Sequence, residues 1–155
     1  MAVRMELSRI LIRELVDQQI IELRETIEGE ESAEAVPAFE DSARRFPIVI
    51  GLPEAQAIER RLKGISIQRP QTHDLLANAI ERLGGDLESI CINDLAKGTF
   101  FAVLRVRDAD GELIEIDSRP SDAIALGIAG GVPIFVEEHV LDAASDEKPS
   151  DEPPL

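Results

Sequence analysis

Two short stretches hold the residues best suited to chemistry. Arg69-Pro70-Gln71-Thr72-His73-Asp74 and Arg119-Pro120-Ser121-Asp122 each set an Arg-Pro before a hydroxyl and an aspartate, and each opens an apolar run. Proline disfavours helical geometry in the residue before it, so a helix is expected just after each Pro, with Thr72 and Ser121 as caps. The start of a helix presents unpaired amides and a partial positive charge, and an arginine just ahead of it completes a phosphate site. Arg69, Arg119, Thr72 and Ser121 are therefore the candidate phosphate-binding residues. Histidine is the side chain suited to proton transfer at neutral pH, which makes His73 a candidate acid or base on a phosphodiester. Asp74 lies beside it, and Asp117 stands five residues before Asp122 across the second corner. Two carboxylates so placed could face one divalent cation such as Mg, which hard oxygen ligands bind and phosphoryl chemistry uses. His73, Asp74, Asp117 and Asp122 form the candidate catalytic set, with Asp117 and Asp122 as candidate metal ligands.

Each of these residues has a plainer role open to it. Arg69 and Arg119 can pair with the first-turn aspartates, or with Asp117 or Asp94, and merely hold the corners shut. His73 can sit on the surface or cap its helix, and strand-end or helix-start aspartates commonly act as caps. Glu54 and Asp94 are weaker candidates, and His139 looks incidental. The chain has no phosphate-binding Gly-rich loop, no Gly-x-Ser-x-Gly elbow, no zinc spacing and no dinucleotide fingerprint. Cys91 is the only cysteine, so one chain can form neither a disulfide nor a cysteine metal site.

The elements that must position these residues can be read from periodicity. Residues 5–13 and 19–26 alternate as an antiparallel strand pair, and residues 44–50 resume a strand with Phe46, Ile48 and Ile50 on one side. Pro53 opens a helix with Ala55, Ile58 and Leu62 as its apolar stripe, and Gly64 ends it. A second helix follows the Arg69 corner, with Leu75, Leu76, Ala79, Ile80 and Leu83 on one face. Residues 87–95 and 99–107 make a hairpin around Ala96-Lys97-Gly98. Residues 113–117 form the strand that enters the Arg119 corner, with Ile114 and Ile116 on one face and Glu115 and Asp117 on the other. Residues 123–130 read as a buried helix, 132–136 as a final strand, and 137–144 as a further helical turn or two. The expected fold is α+β: a single domain of antiparallel strands in a mixed-order sheet, with helices packed against it. One core in so short a chain would draw both corners to a common rim; the alternative leaves them at opposite ends.

Of 155 residues 44% are hydrophobic, which is ample for one domain. Five Phe and no Trp or Tyr leave few rings for base stacking. The formal net charge of −15 repels nucleic acid and anionic membranes, so any phosphate ligand needs a local cationic site. Much of the acid lies in an insertion at about residues 29–42 and in a tail over residues 145–155 that is expected to be disordered. No stretch approaches the length of a membrane span, and cytoplasmic residence is the default expectation. Apolar residues on both faces of the first hairpin suggest an edge covered by another chain, hence a homodimer.

The motifs also carry a family resemblance. Phe46-Pro47-Ile48-Val49-Ile50-Gly51, Glu54-Ala55-Gln56-Ala57-Ile58, Arg69 to Leu76, Asp94-Leu95, Gly98-Thr99-Phe100-Phe101-Ala102, Ile116 to Leu126 and Pro133-Ile134-Phe135-Val136 together resemble the bifunctional nuclease family. Gln71 stands where that family has Leu, and Phe101 where Tyr is usual. The matching segments run from about Met5 to Ala144, so residues 1–144 are expected to form one domain, and the resemblance implies an α+β fold with nuclease activity on both DNA and RNA. The expected function is a phosphodiesterase that reads backbone charge with little sequence preference. The alternative is a non-catalytic module that binds a nucleotide, a small anion or a protein partner.

Overall fold

The computed structural model describes residues 1–13, 15–26 and 43–146, with the side chains of Ser145 and Asp146 excepted. The acidic insertion at 29–42 lies outside the described residues, as do residues 147–155 of the expected tail. In chain order the elements are β1 (Ala2–Leu11), β2 (Gln18–Glu25), β3 (Arg45–Gly51), α1 (Leu52–Lys63), α2 (Thr72–Arg82), β4 (Asp86–Ala96), β5 (Thr99–Arg107), β6 (Leu113–Ser118), α3 (Pro120–Gly127), β7 (Ile134–Glu137) and α4 (Glu138–Asp146). Ser145 and Asp146 thus close the last helix rather than open the tail.

All seven strands join one sheet in the order β3-β2-β1-β7-β4-β5-β6. Every pairing is antiparallel except that of β4 with β7. This is a single α+β domain. The β4–β5 hairpin turns on Lys97 (φ 52°) and Gly98 (φ 78°), two consecutive left-handed residues that match the twist of the strands.

Strand alternation separates two faces. Met5, Ile134, Ile90, Leu104 and Ile116 lie opposite one another across five strands. The first four are buried in the core together with Ala123, Ile124 and Leu126 of α3. One residue along each strand, Arg4, Phe135, Cys91, Val103 and Asp117 form the matching row on the reverse face. The sheet also curls. Phe46 of β3 stacks on Phe100 of β5 with ring centroids 5.5 Å apart. Those strands are five places apart, and a flat sheet would separate them by about 24 Å at the usual strand spacing.

Four expectations need correction. Helix α3 begins at Pro120 with Arg119 as its N-cap, and α2 begins at Thr72 with Gln71 as its N-cap. Proline fits the first helical position, where its missing N–H costs nothing, so the cap falls two residues earlier than Ser121. Leu62 is half exposed, because the stripe of α1 buries only Ala55 and Ile58. No residue of α2 is fully buried: Leu75 and Leu76 are exposed, as is Leu83 just beyond the helix. Finally, β1 and β2 are interior strands flanked by β7 and β3. The first hairpin is therefore no edge, and that reason for a homodimer disappears. The edges are β3, which carries Pro47, and β6.

Candidate active site

Helix α3 is built from small apolar residues, and every residue in it except Asp122 is buried. Asp122 in the first turn is thus the one charged group that this helix presents. Arg119 grips it from the N-cap, with Nε 2.7 Å from Oδ2 and Nη2 3.2 Å from Oδ1. His73, in the first turn of α2, places Nε2 2.8 Å from Asp122 Oδ1. The two Arg-Pro corners therefore meet. Glu54, in the first turn of α1, reaches Arg119 Nη2 at 3.4 Å, so three helix starts share one polar cluster.

The electrostatics follow from this pairing. Burial pushes the Asp122 carboxyl up, but the hydrogen bonds from Arg119 and His73 outweigh it and hold the group below the usual carboxylate range. The hydrogen bond and charge of Asp122, with a smaller contribution from Glu54, raise the Arg119 guanidinium further above neutrality. An ionised Asp122 can only accept, so His73 Nε2 carries the shared hydrogen. Among the described residues nothing bonds Nδ1, which is then the nitrogen free to exchange a proton.

A second network lies behind the first. Asp74 accepts hydrogen bonds from Arg61 Nη1 at 2.5 Å, Arg60 Nη1 at 3.3 Å and the Gln71 backbone N–H at 2.9 Å, and Arg60 Nη2 adds an ion-pair contact at 2.8 Å. Burial raises the Asp74 carboxyl, and these three donors more than reverse it. Arg61 also donates to the carbonyls of Ala125 and Leu126, at 2.5 and 3.1 Å. One guanidinium thus ties α1 to the start of α2 and to the end of α3.

The remaining sequence candidates are dispersed. Arg69 is exposed and has no ion-pair partner among the described residues, because Asp74 is taken by Arg60 and Arg61. Thr72 is exposed at the first turn of α2, and Ser121 is buried within α3. Asp117 sits on the reverse face of the sheet, in the row of Cys91 and Val103, while Asp122 belongs to the helix layer. The sheet separates the two, and Asp122 already gives both oxygens to Arg119 and His73. Among the described residues no group of three or more His, Cys, Asp or Glu side chains converges on one point. Sequence reasoning missed Arg60 and Arg61. Their position in the last turn of α1 reads as ordinary complementarity to the helix dipole, and only the fold reveals Asp74 in front of them.

The sequence pattern of the bifunctional nuclease domain matches residues 38–149, well over half of the chain. The chain belongs to the bifunctional nuclease domain family. Glu54, Arg60, Arg61, His73, Asp74, Arg119 and Asp122 all fall within the span that matches this family. Two uncharacterized proteins of Mycobacterium tuberculosis, from strains CDC 1551 / Oshkosh and ATCC 25618 / H37Rv, are each 45% identical to the chain over 101 residues. The match covers 65% of this chain and 59% of each relative. No helix among the described residues of the bifunctional nuclease domain is long and apolar enough to cross a membrane.

Proposed function

We propose that this bifunctional nuclease domain cleaves phosphodiester bonds in DNA and RNA. The observation that carries the reading is the 2.8 Å contact between His73 Nε2 and Asp122 Oδ1, which joins two helix starts and leaves Nδ1 for proton transfer. Asp122 fixes the ring and its tautomer. His73 then takes a proton from an attacking water or returns one to the leaving oxygen. Arg119, two-thirds exposed, and the unpaired Arg69 are the cations that a phosphate would meet. Neither contact reads a base or a 2′-hydroxyl, which fits action on both sugars.

Asp74 holds the first turn of α2 in place and takes no proton from substrate in this scheme. If the reaction uses a divalent ion such as Mg, substrate oxygens would have to supply much of its coordination. The test is incubation of purified protein with labelled DNA and RNA, with and without chelator. Both substrates should be cut, and His73→Ala should lower the rate by about 10²-fold or more, as loss of an acid-base group does. Cleavage no faster than the His73→Ala control overturns the reading.

One observation favours a second reading. The net charge of −15 disfavours long polyanions, and Asp122 and Glu54 already engage Arg119. A non-catalytic module for a nucleotide, a small anion or a protein partner would fit both facts. Thermal stabilisation by a mononucleotide without turnover of nucleic acid would select it.

A further inference from the structure

Between α1 and the start of α2 lies an open depression of about 470 Å³, lined by Pro53, Gln56, Ala57, Arg60, Ile65 and Gln71. That volume falls within the range of small-molecule sites, about 300–1,000 Å³. Its lining combines the apolar Pro53, Ala57 and Ile65 with two carboxamides, Gln56 and Gln71. The one charged group in the wall, Arg60, is paired with Asp74: Nη1 donates to the carboxylate at 3.3 Å, while Nη2 lies 2.8 Å from it without a hydrogen bond and is buried from any ligand. A phosphate would find no unengaged cation in this lining. A flat, neutral, hydrogen-bonding group fits better: apolar contacts take its faces, and the Gln56 carboxamide, donor and acceptor at once, meets its edge.

The place of the depression narrows the ligand further. Pro53 precedes Glu54, which holds Arg119, and Gln71 lies two residues from His73 with its own N–H on Asp74. Ile65 and Gln71 bracket the loop that carries the exposed, unpaired Arg69. We propose that this depression binds the nucleobase of the nucleotide whose phosphate lies at Arg69 and the His73–Asp122 pair. It rests on the reading of that neighbouring site as a phosphodiester site. Gln56 is the specificity-determining residue, and it favours adenine, whose paired donor and acceptor a glutamine carboxamide matches, whereas the Gln71 side chain is committed to the Asp74 backbone in the capping box of α2. The base is common to DNA and RNA, so the pocket imposes a mild base preference without selecting the sugar.

Titration calorimetry on the full chain with AMP, CMP and ribose 5-phosphate tests this. AMP should bind at least tenfold more tightly than ribose 5-phosphate and measurably more tightly than CMP. Gln56→Ala, at an exposed position, should erase the preference for AMP over CMP, and Ala57→Phe, which fills the depression, should bring AMP down to the affinity of ribose 5-phosphate. Ribose 5-phosphate binding should stay unchanged in both variants, which also reports that they are folded. Equal affinity of the wild-type chain for AMP and ribose 5-phosphate overturns the proposal, as does an unaltered AMP preference in Gln56→Ala. Its failure is distinguishable from failure of the nuclease reading. AMP-selective binding without nucleic-acid cleavage keeps the pocket and ends the nuclease, whereas cleavage with no base discrimination does the reverse.

Discussion

Replacing Arg61 with Met tests the claim that one guanidinium holds three helices in register. The side chain is 11% exposed and its partner Asp74 15%, so the pair is largely removed from water. Arg61 makes three charge-assisted contacts, to Asp74, Ala125 O and Leu126 O. Hydrogen bonds of that kind are worth about 1.5–3 kcal/mol each, but they are not additive within one group. Removal of one partner from a buried pair costs about 3–5 kcal/mol. Asp74 keeps Arg60 and the Gln71 N–H, so it is not orphaned, and Met retains much of the apolar stem. These facts set the expectation near the low end, about 3 kcal/mol. For a chain of this size that lowers Tm by about 6–12 °C. Urea denaturation followed by far-UV circular dichroism measures it directly. A double-mutant cycle with Asp74→Asn should return a coupling of about 1–3 kcal/mol. A loss below about 1 kcal/mol, or no coupling to Asp74, would refute the account of the inner network.

Two further outcomes are expected. Asp74 and Asp122 both ionise more readily in the folded chain than in the unfolded one, so below neutrality the unfolded chain binds protons first. Their stabilisation is complete above the ordinary aspartate value of about 3.9 and is lost as pH falls through the lowered folded values; acid unfolding of Asp122→Asn should accordingly show a weaker pH dependence than wild type. In Gly127→Ala the new Cβ would come within 2.7 Å of Ile90 Cδ1 and 3.0 Å of Val132 Cβ. Overpacking of that kind should cost about 1–3 kcal/mol in chemical denaturation.

Much of this was legible because it is local. Alternation in residues 87–107 and the Lys97-Gly98 turn specify their hairpin almost unaided, and small apolar residues between Pro120 and Gly127 specify a helix buried on all sides. Side-chain periodicity says which residues share a face, yet it cannot say what covers that face. Leu75, Leu76, Ala79, Ile80 and Leu83 share a stripe, but α2 lies at the margin of the core, with only Ala77 and Ile80 packed partly against it. The same gap explains the site. His73 and Asp122 are 49 residues apart, and nothing between them signals a contact except two similar corners. Arg60 and Arg61 gave no such cue. Alternation sets Asp117 on the face opposite Ile114 and Ile116, and carried through the corner it separates Asp117 from Asp122.

The place of β7 also constrains when the domain can exist. The strands β3-β2-β1 and β4-β5-β6 form two antiparallel triplets, and only β7 joins them. It pairs residues 134–137 with residues 2–5, so nearly the whole chain must be present before the seam closes. Contacts so distant in sequence form late, since a large loop-closure entropy precedes any reward. During synthesis the strand pairing of each triplet can be completed before the seam between them closes. The continuous seven-stranded sheet is consequently completed by the docking of four residues that belong to neither half.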